Sequence, residues 1–147
     1  MIHAGVTRSP TDAWVAQQVR EATPWNAGQR FLIRDNNIKF SQGFRGMLAA
    51  RGIEDIRLPC YSPDLNAVCK RFQGSVRQEC LDHVIVFNEQ NLRRVIREYV
   101  AYYNQMRPHQ GIGQSIPDPP LEPKETGSVE AQPVLGGLHH HYYRKAA

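Results

Sequence analysis

Apolar and polar positions along the chain fall into segments of two different periods. In "DAWVAQQVREA", residues 12–22, Trp14, Val15 and Val19 recur near one side, with glutamine and arginine outside. That is a helical pattern, which Thr11 or Asp12 is placed to cap and which Pro24 and Gly28 close. "RFLIRD", residues 30–35, is a short apolar run with polar ends and predicts a buried strand ending at Asp35. A second helix is predicted over residues 41–51, with Ser41 as its cap, Phe44, Met47 and Leu48 inside, and Gly52 just past its end. "IEDIRLP", residues 53–59, predicts another strand, and "IHAGVT", residues 2–7, reads as the end of a strand before a turn at Ser9-Pro10. Strand, helix, strand in this order is the signature of a parallel α/β unit.

"YSPDLN", residues 61–66, predicts a turn, after which Asn66 can cap the helix in "NAVCKRFQGSVRQE". On a helical wheel Val68, Cys69, Phe72, Val76 and Cys80 share one side, and Lys70, Gln73, Gly74 and Arg77 share the other. Lys70 is therefore predicted to face outward. A last helix is predicted over about residues 89–103, capped by Asn88, with Phe87 and Leu92 spaced for a hydrophobic staple. Its apolar stripe is Leu92, Val95, Ile96, Tyr99, Val100 and Tyr103. Beyond it, prolines and glycines interrupt any periodicity, so residues 113–147 are predicted as an extended tail after a folded region over residues 1–112.

Composition narrows the partners more than the fold. With 41% hydrophobic and 22% charged residues the chain reads as soluble and globular, and no apolar run approaches the roughly 20 residues that span a bilayer. The N-terminus lacks a basic region followed by an apolar run, so a cytoplasmic location and no membrane partner are predicted. Cys60, Cys69 and Cys80 are odd in number and unlike any zinc-ligand spacing, which points to buried small hydrophobes rather than disulfides or metal ligands. The net charge of +4 permits a polyanionic partner. The basic residues concentrate between Lys70 and Arg107, where Arg71, Arg77, Arg93, Arg94 and Arg97 lie. Nucleic acid, if bound, is predicted to bind there.

Three stretches in this order, "FLIRDNNIKFSQGF", "GIEDIRLPCYSPDLNAVCKRFQGSVRQECLDH" and "YVAYYNQMRPHQGIG" before a proline-rich segment, resemble the core domain of bacterial insertion-sequence transposases and retroviral-type integrases. The resemblance covers residues 30 to about 120, with residues 2–25 fitting more loosely. It implies an RNase H-like α/β fold, here incomplete because the opening central strand with its first aspartate would lie ahead of "IHAGVT". In the family, three carboxylates hold two divalent ions, usually Mg²⁺, for phosphodiester attack.

Carried onto this chain, the second aspartate is Asp35, a metal ligand and catalytic residue by resemblance, or otherwise a surface turn aspartate. The family's glutamate, before an "RF" pair, falls on Lys70, and a protonated amine repels Mg²⁺ instead of binding it. Asp12, at a helix start, is no substitute for the first aspartate. The resemblance therefore implies a decayed or truncated transposase core, DNA-binding and inactive, with Mg²⁺ bound weakly or not at all. The alternative is a protein-interaction remnant that pairs with itself or with intact transposase.

Lys70, Arg71, Gln73 and Arg77 are the candidate DNA-binding residues, with a solvated basic face as the bland reading. Arg93, Arg94 and Arg97 read more simply as exposed helix arginines. Arg107 and His109 of "YYNQMRPHQ" either touch DNA or pin the helix end, and the second is favoured. "HHHYY", residues 139–143, is followed by "RKAA" and reads as native sequence, with at most an adventitious affinity for transition metals.

Overall fold

A computed structural model describes residues 3–24, 28–37, 40–59, 66–119 and 126–145, and divides the chain into two units, Thr7–Ser75 and Val76–Ala147 with Met1–Val6. In the first unit, helix α1 (Asp12–Ala22) begins where Thr11 Oγ1 accepts the Trp14 N–H at 3.2 Å. Strand β1 (Phe31–Arg34) follows, then helix α2 (Gln42–Ala50), capped by Ser41 through the Phe44 N–H at 3.3 Å. Ser41 Oγ also donates to Asp12 Oδ2 at 2.8 Å, tying the starts of the two helices together. Gly52 turns the chain with φ +68°, a conformation that a side chain would strain. Strand β2 (Glu54–Arg57) then lies parallel to β1, pairing Phe31 with Glu54 and Ile33 with Ile56.

Alternation along β1 and β2 sends Leu32, Arg34 and Asp55 to the face that is covered. There Ala16, Phe44, Leu48 and Ile53 form the core, with Val15, Val19, Leu32, Phe40 and Met47 packed around it. Fully burying side chains such as Phe44 and Leu48 stabilises by about 1.5–3 kcal/mol each. Arg34 is buried as well, and its guanidinium is held by both Asp55 oxygens, at 2.6 and 2.7 Å, beside the Phe40 ring. The outer face of the same strands is bare: Phe31, Ile33 and Ile56 are exposed. The prediction of a buried strand over residues 30–35 is thus corrected: one face is covered, and Phe31 and Ile33 on the other are exposed. The strand predicted over residues 2–7 is also absent over residues 3–7. Among the described residues β1 pairs with β2 alone, so no ladder is available to hold another strand extended.

Helix α3 (Ala67–Glu79) runs from the first unit into the second. Its apolar side closes only toward its end, where Val76 and the following Cys80 are buried. Val68 is 74% exposed and Cys69 is exposed, which corrects their predicted burial: periodicity marks the side of a helix but not how far a neighbour extends along it. Cys60 and the predicted turn over residues 61–65 lie outside the described residues.

In the second unit, helix α4 (Glu89–Gln105) starts at Asn88, whose Oδ1 accepts the Asn91 N–H at 2.8 Å. Val95, Ile96, Tyr99 and Tyr103 are its buried stripe, as predicted. The staple is not closed, since Phe87 is exposed. The extended tail is corrected over residues 129–144: strands β3 (Val129–Val134) and β4 (His139–Arg144) form an antiparallel hairpin. Three docking contacts explain why the chain does not run free. The Leu135 N–H donates to Glu98 on α4 at 2.5 Å, His139 stacks on Tyr102 at 4.6 Å, and Val134 is buried.

Candidate functional site

The residues predicted to face nucleic acid do project into solvent. Lys70, Arg71, Gln73 and Arg77 are all exposed on α3. Lys70, Gln73 and Arg77 follow one another at three and four residues, which sets them in one stripe along the helix. Gly74, within that stripe, has nothing within 4 Å of the place where a Cβ would sit. Arg77 approaches Asp82 at 3.6 Å in a well-solvated pair, which leaves its guanidinium largely available.

Asp35 lies just beyond β1, exposed, and its Oδ1 accepts the Asn37 N–H at 3.2 Å. That is an Asx turn, in which a carboxylate shapes its own loop. The Arg34 guanidinium also donates to the Asp35 backbone carbonyl at 3.1 Å, so the loop is fixed at the strand end on both counts.

In the second unit a polar cluster sits beneath "YYNQMRPHQ". Arg107 grips Glu79 with two hydrogen bonds, Nη2 to Oε1 at 2.7 Å and Nε to Oε2 at 2.8 Å. The Tyr99 hydroxyl donates to the same Oε2 at 2.9 Å, and a His139 ring nitrogen lies 2.7 Å from the Glu79 carbonyl. Burial works to raise the Glu79 carboxyl, but the hydrogen bonds from Arg107 and Tyr99 and the Arg107 charge outweigh it and hold the group below its ordinary pKa. Burial first, then the bond to Glu79, push the Tyr99 hydroxyl far above its usual value. His109 contacts the Tyr103 carbonyl at 2.8 Å and meets the Tyr103 ring edge-on. Arg107 and His109 therefore pin the end of α4, the role favoured from the sequence.

The sequence reading placed Tyr99 in the apolar stripe but missed its hydroxyl's bond to Glu79, and Glu79 itself, although one signal was present. Glu79 follows Phe72 and Val76 at helical spacing, and a carboxylate on the apolar side of a helix requires a partner.

Residues 51–117 match the family described as integrase core domain. Over this stretch the chain is similar to integrase cores. The chain is also similar to an insertion element IS476 uncharacterized 39.2 kDa protein of Xanthomonas euvesicatoria, 29% identical over 117 residues. That similarity covers 79% of this chain and 34% of the relative, so the chain spans about a third of the relative's length. No solved structure matches.

Lys70 and the Glu79–Arg107 cluster lie within the integrase core match, whereas Asp35 lies ahead of it. Integrase cores generally depend on divalent metal and bind DNA. Among the described residues, no three His, Cys, Asp or Glu side chains converge as ligands would. Asp35 offers one exposed carboxylate and Lys70 an ammonium, a donor set short of the several anionic oxygens that a two-metal centre needs. A further basic surface lines α4, where Asn88, Gln90, Asn91, Arg93, Arg94 and Arg97 surround an open cleft of about 540 Å³. Arg93 is held by Glu89 at 2.6 Å and Arg94 by Glu98 at 3.6 Å, as solvated helix pairs commonly are. No helix among the described residues is long and apolar enough to cross a membrane.

Proposed function

We propose that this chain is an integrase core that binds DNA through the outward stripe of α3 and does not itself catalyse Mg²⁺-dependent strand transfer. The observation that carries the proposal is Lys70. By resemblance it stands where the family has its glutamate; it is exposed on α3, and it brings an ammonium where that chemistry would need an anionic oxygen. The same charge favours phosphate, as do Arg71 and Arg77 beside it, while Gln73 offers an amide for hydrogen bonding and Gly74 leaves room for a close backbone. Asp35 would serve as the remaining family carboxylate, which with waters alone holds Mg²⁺ weakly.

Binding without sequence preference is expected in the range of about 10⁻⁴ to 10⁻⁶ M at physiological salt, weakening steeply as salt rises. Titration of a duplex oligonucleotide at several salt concentrations tests this. Arg77→Ala should reduce the salt slope by roughly one unit, and Lys70→Glu should bind more weakly in the absence of Mg²⁺. Unchanged affinity and slope in both variants would leave α3 as a solvated face. Metal-dependent nicking that disappears in Asp35→Ala would overturn the inactive reading.

A second reading, association with a protein partner such as another transposase chain, is favoured by one observation. The exposed Phe31, Ile33 and Ile56 make an apolar outer face on a parallel sheet, and such sheets are usually covered on both sides.

A further inference from the structure

Alternation in the β3–β4 hairpin separates its side chains into two unlike faces. Val134, His139, His141, Tyr143 and Glu130 share the face that docks. Val134 is buried there, His139 stacks on Tyr102 of α4, His141 stacks on Tyr143 at 5.6 Å, and the Tyr143 hydroxyl donates to Glu130 at 3.2 Å. The opposite face carries Val129, Ala131 and Pro133 on β3 against Arg144, Tyr142 and His140 on β4. All six are exposed, Tyr142 to 68%. A hairpin packed on one side ordinarily turns polar side chains to water on the other. This one presents two aromatic rings instead.

The cross-strand register keeps those rings open. Tyr142 faces Ala131 and His140 faces Pro133, both small, so neither ring is capped by a bulky neighbour. The two rings lie 6.3 Å apart and 34° from parallel, one pleat repeat along the strand. The charge on the face has one sign. Arg144 lies beside Tyr142's end of the strand, anchored to the Gly127 carbonyl at 3.0 Å, while the hairpin's described carboxylate, Glu130, is on the docked face and is held by Lys145 at 3.2 Å.

We infer that this outer face, Tyr142 and His140 with Arg144, is a stacking platform for single-stranded DNA. Exposed rings at alternate strand positions can each take the face of an unpaired base, and a cation at the end of the row meets the backbone phosphate. A duplex buries its base faces and cannot use such a surface. The platform shares no residue with the α3 stripe. The choice of DNA over RNA rests on the integrase-core reading.

The test is fluorescence anisotropy of the full chain with a labelled oligo(dT), an oligo(rU) and a duplex of equal length. Tyr142→Ala should weaken oligo(dT) binding about fivefold or more. Tyr142→Phe, which keeps the ring, should stay within about twofold, and neither should change duplex binding. Because Tyr142 is exposed on the undocked face, the hairpin should survive, and the Phe variant reports any loss that is merely structural. The inference is overturned if oligo(dT) is not bound, if Tyr142→Ala binds it like wild type, if the Ala and Phe variants lose alike, or if Tyr142→Ala loses duplex binding in proportion. Tighter binding of oligo(rU) overturns the choice of DNA. Lys70→Glu separates the two surfaces, since it should lower duplex binding and leave in place the fold-loss that Tyr142→Ala causes on oligo(dT). Absence of duplex binding with the Tyr142 response intact would sink the α3 proposal and leave this one standing.

Discussion

Replacing Glu79 with alanine removes the acceptor that Arg107 and Tyr99 share. Breaking a fully buried ion pair costs about 3–5 kcal/mol, because the surviving charge is left without a partner, whereas a solvated pair contributes about 0–1 kcal/mol. The Arg107 and Glu79 side chains are 26% and 28% exposed, so water can reach part of the guanidinium once its partner is gone. Glu79→Ala should therefore destabilise the chain by about 2–3 kcal/mol, a substantial share of the roughly 5–15 kcal/mol that holds a domain together. Glu79→Gln keeps the shape and one acceptor oxygen, and should cost about 1–2 kcal/mol.

The pH dependence separates charge from shape. The folded Glu79 carboxyl titrates below its unfolded value of about 4.5, so its contribution is complete above that pH and is lost as pH falls through the folded pKa. The gap between wild type and Glu79→Gln should accordingly be full at neutral pH and shrink in acid. Urea unfolding followed by circular dichroism measures both quantities. A Glu79→Ala cost under about 0.5 kcal/mol, or a gap to Glu79→Gln that does not narrow in acid, would refute the account of a charge-assisted clamp.

Other substitutions probe the remaining parts. Asp55→Ala strands Arg34, whose side chain is only 8% exposed, and should cost about 3 kcal/mol in the same unfolding assay. Gly127 has φ +111°, and an added Cβ would lie 1.8 Å from the Lys145 carbonyl oxygen, so Gly127→Ala should open the base of the hairpin. Loss of amide exchange protection across residues 128–145 would register it. The Tyr99 hydroxyl is neutral in the fold and titrates far above its usual value, so its contribution is complete below about pH 10 and is lost as pH rises further. Tyr99→Phe should flatten that alkaline loss, read as the difference in Tm between neutral and strongly alkaline buffer.

Helix caps and helix faces were legible in the sequence. Thr11, Ser41 and Asn88 each cap a helix by reaching an N–H three residues on, a distance that chain geometry alone sets. The stripe of α4 and the outward direction of Lys70 follow from helical period in the same way. Tertiary structure decided whatever depends on a second segment. Periodicity located the apolar side of α3, but Val68 is exposed because cover ends before it. Glu79 meets partners 20 and 28 residues away, and no local pattern encodes such a meeting. The hairpin was hidden because Pro133, Gly136 and Gly137 break its alternation and its β4 strand is a run of histidines and tyrosines with no apolar face of its own. Its strand character comes from pairing between β3 and β4, and its docked face from the contacts of Val134, Leu135 and His139 with α3 and α4. Local hydrogen bonds form wherever the sequence permits them, but a strand exists only where another segment completes its ladder.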